Sequence, residues 1–176
     1  MLYNIPGRTG VEIAPEVLAS LAEHPRIVAV KQSLPDVDPV SDLAARLQKI
    51  RQPVAAGNAP SQEPAMWIYS GDDSHILSIM SAGGCGVVSV SGHLCAPQMA
   101  QMMDHFEAGR LDEARQLHLR LFPLMKGLFT TTNPVLVKAG LKCLGFPVGG
   151  LRPPLYEASP AEEEFAASLL REAGLL

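Results

Sequence analysis

Short apolar runs alternate with amphipathic segments along the first half of this chain. Ile27–Val30 is apolar, largely β-branched and shows no polar alternation, a pattern typical of a parallel strand buried on both faces. Similar runs predict strands at residues 67–71 and 86–90. Apolar residues at helical spacing predict helices over residues 15–21, 40–50 and 76–82. This alternation predicts an α/β fold with a parallel sheet, either open or closed as a barrel.

The second half of the chain shows only the helical pattern. Strand signals stop beyond Ala96, and periodicity together with capping residues predicts helices over residues 97–108, 111–128, 134–144 and 160–173. Residues 51–64 contain three prolines and no periodicity, which predicts a long loop between the second helix and the next strand.

The composition of the chain argues against nucleic-acid binding and against a membrane helix. The chain has 176 residues, of which 47% are hydrophobic, and its 14 Lys and Arg against 18 Asp and Glu give a net charge of −4. This balance is typical of a globular protein and leaves no cationic surplus for nucleic acid. The stretch from Ser74 to Met103 lacks acidic residues, Lys and Arg, but glycines and Pro97 interrupt it, so we expect no membrane helix.

Cysteine usage and the first residues indicate a cytoplasmic protein. Cys85, Cys95 and Cys143 are odd in number and widely spaced, as expected of reduced thiols. Cys85, His93 and Cys95 match no standard zinc spacing, so we expect no metal. The chain does not begin with a basic and then apolar leader.

Lys31 is the chemically unusual residue, because it ends an apolar strand where ligands bind in parallel α/β folds. Burial favours the neutral amine, which is a nucleophile able to form an imine with a carbonyl compound. The alternative is a lysine that has left the strand and is solvated.

Other candidates lie beside strand ends. Arg8, in a Gly-flanked turn, could clamp a carboxylate or could be a surface residue. Tyr3 could relay protons or belong to the core. The pair Asp72 and Asp73 is better explained by capping of the following helix.

Six segments, in order along the chain, resemble the dihydrodipicolinate synthase family. They are Tyr3–Gly10, Val30–Lys31, Ser70–Asp73, Gly86–Val90, Asn133–Lys138 and Gly150–Leu155. The resemblance implies the C-terminal half of a (β/α)8 TIM barrel over residues 1–109, from the end of strand 5 to helix 8, followed by an all-helical C-terminal domain over residues 110–176.

The resemblance also implies roles for individual residues. Lys31 would form a Schiff base with pyruvate, and Tyr3 would donate and accept protons. Arg8 would hold the carboxylate of the second substrate, whereas Gly71 and Val88 would line the pyruvate pocket. The covalent imine makes any cofactor unnecessary.

The activity implied by the resemblance is that of a lyase of the class I aldolase type. It condenses pyruvate with L-aspartate 4-semialdehyde to 4-hydroxy-tetrahydrodipicolinate in the diaminopimelate route to lysine. The family's habit implies a homo-oligomer, a tetramer. Because half of the barrel is missing, we expect little activity from the chain alone.

The sequence departs from the family pattern in two places, so alternative functions stay open. Gln32-Ser33 follows Lys31 where the synthases commonly carry an acidic and then a small residue, and the loop over residues 51–64 is longer than usual. One alternative is a non-catalytic, truncated half-barrel. The other is a pyruvate-dependent sugar-acid aldolase that uses the same imine, although the arginine at position 8 favours the synthase.

Overall fold

The computed structural model describes residues 1–50 and 64–176, so the predicted loop at residues 51–64 lies almost wholly outside the described residues. The chain divides into two compact units, Met1–Val88 and Ser89–Leu176.

The first unit is built on a parallel sheet. Its strands follow the order β1-β2-β3-β4, and all neighbours pair in parallel. The strands are β1 (Leu2–Asn4), β2 (Ala29–Gln32), β3 (Trp67–Ser70) and β4 (Gly86–Val87). The predicted α/β fold with a parallel sheet is therefore confirmed, although β4 is shorter than the predicted run.

Helices connect the strands of this unit as expected for parallel neighbours. They are α1 (Pro6–Thr9), α2 (Pro15–Leu21), α3 (Asp38–Leu47) and α4 (Ile76–Ser81), the last preceded by a 3-10 turn at Asp73–His75. The sequence predicted a loop where α1 lies. The turn is helical because Pro6 presets a helical φ, and because Gly10, at φ +72°, closes the turn by donating its N–H to the Pro6 carbonyl.

One apolar cluster holds the first unit together. Leu18 of α2, Leu43 of α3 and Val30 of β2 are fully buried in it, and Ile68 of β3 is 2% exposed. Two helices thus cover one face of the sheet. The other face is where Lys31 lies.

The second unit contains helices and no strand among its residues. These are α5 (Gly92–Glu107), α6 (Leu111–Gly127), α7 (Val135–Cys143) and α8 (Pro160–Ala173). Helix α6 approaches α8 closely, since a Cβ on Gly127 would stand 2.5 Å from a methyl group of Leu169. A capping box between Ser159 and Glu162 fixes the start of α8.

The division between the two units falls after Val88, whereas the resemblance placed a boundary after residue 109. Helix α5 falls in the second unit because it packs against α6 and α7, the helices that follow it. In the described residues, no helix is long and apolar enough to cross a membrane.

Candidate active site

The strand register places three side chains in one row. Tyr3 of β1 is the partner of Lys31 of β2, and Lys31 is the partner of Tyr69 of β3. Register partners on neighbouring strands point to the same face of a sheet. Lys31 therefore lies between two tyrosines near the carboxyl ends of the strands.

Lys31 contacts the aromatic face of Tyr3. Its Nζ lies 4.2 Å from the centroid of the Tyr3 ring, within the distance of a cation–π interaction. The lysine side chain is half-buried and the tyrosine is 46% exposed. The two residues that the sequence singled out at separate strand ends are thus neighbours, joined through the ring.

Gly71 leaves space for the lysine side chain. A Cβ at residue 71 would stand 2.9 Å from Cε of Lys31 and 1.9 Å from Oγ of Ser33, closer than real Cβ atoms come. The Gly71 N–H donates to the Gln32 carbonyl at 2.6 Å, which ties the end of β3 to the end of β2. A side chain at position 71 would therefore force Ser33, and with it the neighbouring lysine side chain, to shift.

The residues directly after Lys31 carry buried polar atoms without a partner. Gln32 is 2% exposed, and neither its amide oxygen nor its amide nitrogen has a hydrogen-bond partner among the described residues. The same holds for the buried Oγ of Ser33. The Ser33 N–H donates to the Asn4 carbonyl at 2.9 Å, which fixes the serine beside the end of β1.

Tyr69 has a perturbed phenol. A hydrogen bond to Cys85, the negative charge of the ionised Cys85 side chain and burial all raise the pKa of Tyr69 above its ordinary value. The cysteine also contacts the Ile68 carbonyl, 3.3 Å from Sγ. No sequence motif marks Tyr69, and only the strand register reveals that it stands beside Lys31.

Arg8 and Val88 occupy separate places in the first unit. Arg8 is exposed on α1. Val88 is 37% exposed just beyond β4, where its N–H donates to the Ser70 carbonyl at 2.9 Å. The structure therefore brings together Lys31, Tyr3 and Gly71, while the roles of Arg8 and Val88 stay predictions.

The expected capping role of Asp72 is confirmed. Its carboxylate accepts hydrogen bonds from the N–H and the hydroxyl of Ser74 at the start of the 3-10 turn. Across residues 1–50 and 64–176, no group of three or more metal-ligating side chains comes together.

Comparison with protein families gives a match over almost the whole chain. A profile of the dihydrodipicolinate synthetase family matches residues 1–173. The 4-hydroxy-tetrahydrodipicolinate synthase of Cyanothece sp. is 46% identical over 176 residues, which is 100% of this chain and 55% of that protein.

Solved structures give the same result. A lysine-bound dihydrodipicolinate synthase from Cyanidioschyzon merolae is 37% identical with a TM-score of 0.86, covering 100% of this chain and 55% of its own. A chloride-inhibited dihydrodipicolinate synthase from Acinetobacter baumannii, complexed with pyruvate, is 30% identical with a TM-score of 0.85. The match covers 99% of this chain and 55% of the Acinetobacter chain. The chain spans about half the length of the relatives it matches. That share does not fix which part of them it corresponds to, so the C-terminal placement stays a prediction.

Proposed function

Because this chain belongs to the dihydrodipicolinate synthetase family, we propose that it takes part in condensing pyruvate with L-aspartate 4-semialdehyde to 4-hydroxy-tetrahydrodipicolinate. The relatives are named for this synthase activity. In this proposal the sheet of the first unit is part of a (β/α)8 barrel, and the reaction takes place at the carboxyl ends of its strands.

One observation carries the proposal. Lys31 lies at a strand end with its Nζ against Tyr3 and its Cε against Gly71. A lysine held in this way, half-buried at a strand end, is suited to covalent chemistry on a ketone. The amine attacks the ketone through its nitrogen lone pair, so the neutral form is the reacting species.

The proposed reaction begins at the ketone of pyruvate. The neutral Lys31 amine attacks the carbonyl carbon, and loss of water gives a protonated imine. This imine withdraws electrons from the methyl carbon, which loses a proton to form an enamine. The enamine carbon then attacks the aldehyde of the second substrate. The imine is itself the electron sink, so the proposal includes no further cofactor.

Tyr3 is proposed to move protons during these steps. Its ring contacts the lysine amine, and its side chain is 46% exposed, so the phenol is open to a bound substrate. Arg8 is proposed to bind the carboxylate of the aldehyde substrate through its charge and paired N–H donors. Gly71 and Val88 are proposed to line the pyruvate pocket.

The test is chemical trapping of the imine. The chain is co-expressed with the part of a related synthase that it does not span, and the complex is incubated with pyruvate and borohydride. We expect a single reduced pyruvate on the peptide that contains Lys31, detected by mass spectrometry. Lys31→Ala should abolish this label, whereas Lys49→Ala, at an exposed lysine of the same unit, should not. Label on another residue, or undiminished label in Lys31→Ala, would refute the proposal.

A further inference from the structure

Among the described residues, the Ser33 hydroxyl has no hydrogen-bond partner, and it lies beside the side chain of Lys31. A Cβ built on Gly71 would stand 1.9 Å from Oγ of Ser33 and 2.9 Å from Cε of Lys31. The two atoms are therefore close neighbours. Because Oγ is also shielded from water and has no partner among the described residues, it is a hydrogen-bonding group left open next to the proposed nucleophile.

A buried hydroxyl of this kind lowers the free energy of unfolding. A buried polar group without a partner destabilises the folded state, and an alanine at the same place would avoid this cost. The backbone gives no reason for a serine here, since the Ser33 N–H donation to the Asn4 carbonyl would survive in alanine. The hydroxyl therefore points to a partner that arrives with the substrate.

We propose that Ser33 is a further catalytic residue, whose hydroxyl donates a hydrogen bond to the carbonyl oxygen of the α-keto acid that Lys31 attacks. This inference rests on the function proposed above. The oxygen is three bonds from Cε of Lys31 once the carbon–nitrogen bond has formed, which brings it within reach of Oγ. Oγ of Ser33 and Cε of Lys31 both lie within 3 Å of the position that a Cβ of residue 71 would take, so the hydroxyl lies beside the side chain that carries the amine.

Imine formation leaves Ser33 chemically unchanged. The amine nitrogen forms a bond to the carbonyl carbon, and the electron pair of the C=O double bond moves to the oxygen. That oxygen takes up protons and leaves as water while the nitrogen forms the C=N bond. In total, one amine, one carbonyl and one proton give one protonated imine and one water. Ser33 stabilises the charge that develops on the oxygen and keeps its own proton throughout.

The experiment measures imine formation in the complex used above, by borohydride quenching at timed intervals after addition of pyruvate. Ser33→Ala should slow imine formation by about tenfold or more, as expected for loss of a preorganised donor. Ser33→Thr, which keeps the hydroxyl, should retain most of the rate. Ser41→Ala, whose hydroxyl is exposed on α3 and contacts the Val37 carbonyl, is the matched control and should leave the rate unchanged.

Thermal unfolding without pyruvate separates this role from a structural one. Ser33→Ala should be as stable as the wild type or more stable, because it removes an unpaired buried hydroxyl. A loss of stability together with a slower rate would overturn the proposal, and so would a Ser33→Ala rate equal to the wild type. If the wild-type complex itself is not labelled at Lys31, both the proposed function and the role of Ser33 are refuted. Labelling that Ser33→Ala does not slow refutes the role of Ser33 alone.

Discussion

Lys31 and Tyr3 are register partners on neighbouring parallel strands, and the lysine Nζ lies 4.2 Å from the centroid of the tyrosine ring. The contact engages the face of the ring, not the phenol oxygen. The contact of the ring with the lysine and the proposed proton transfer by the hydroxyl can therefore be tested separately.

Two substitutions at Tyr3 should separate these roles. Tyr3→Phe keeps the ring and removes the hydroxyl, so we expect turnover to fall by about 10²-fold, the scale of general acid–base catalysis, while the lysine stays in place. Tyr3→Leu removes both, and its loss should be at least as large. The measurement is pyruvate-dependent turnover of aspartate semialdehyde by the co-expressed complex. Full turnover in Tyr3→Phe would show that the hydroxyl moves no proton.

Gly71→Ala should disturb the lysine directly. The new methyl group would stand 2.9 Å from Cε of Lys31 and 1.9 Å from Oγ of Ser33, so the structure must shift. We expect a loss of about 1–3 kcal/mol in the free energy of unfolding, as for other overpacked sites, and slower borohydride trapping. Gly7→Ala is the matched control, because a Cβ there would meet nothing within 4 Å. Equal behaviour of the two variants would contradict this account.

Arg8 should matter for the second substrate and not for pyruvate. Arg8→Ala is expected to leave imine formation intact and to reduce kcat/KM for aspartate semialdehyde. The loss of transition-state stabilisation should be about 1.5–3 kcal/mol, the contribution of a hydrogen bond to a charged group. Arg26→Ala, at another exposed arginine of the same unit, serves as the control. Unchanged kinetics in Arg8→Ala would show that this arginine does not bind substrate.

Tyr69 should give the first unit a dependence on alkaline pH. The hydrogen bond to Cys85 raises the pKa of the Tyr69 phenol above the ordinary value of 10.0, so the folded state favours the neutral phenol. Its contribution to stability is present below pH 10.0 and is lost as the pH rises through the folded pKa. Cys85→Ala should lower the pKa of Tyr69, seen as earlier appearance of phenolate absorbance in the ultraviolet.

Assignment of that signal needs two tyrosine variants. Tyr69→Phe should remove the late-ionising phenol, whereas Tyr156→Phe, at a residue that is 86% exposed, should leave it in place. An unshifted titration in Cys85→Ala would mean that the thiol does not control the phenol.

The chain by itself should show little or no synthase activity. Among the described residues, the parallel sheet ends at β1 on one side and at β4 on the other, so each outer strand pairs with a strand on one side only. Closing a barrel requires further strands, and positioning of substrate depends on that closure. Turnover by the purified chain, compared with the chain co-expressed with the part of a relative that it does not span, tests this. Substantial activity of the chain alone would contradict the prediction.

The sequence by itself determined the fold class and the proposed nucleophile. Apolar runs and helical spacing are local properties, so they predicted strands that contain Ala29–Val30 and Ile68 and helices such as α2 and α8 close to their observed bounds. Lys31 stood out because a charge at the end of an apolar strand is unusual in any fold. Tyr3 was one of several candidates beside strand ends, the family resemblance added the pocket role of Gly71, and the structure places both residues against Lys31.

Tertiary structure decided which side chains meet. Tyr69 stands beside Lys31 because of strand register, and Oγ of Ser33 reaches Gly71 because β2 and β3 end together. Neither relationship is a matter of sequence spacing, since register is set by how whole strands pair across the sheet. Likewise, α5 packs with α6 and α7, which follow it in the chain. Local pattern predicts elements, whereas contacts between distant residues depend on the packing of all of them together.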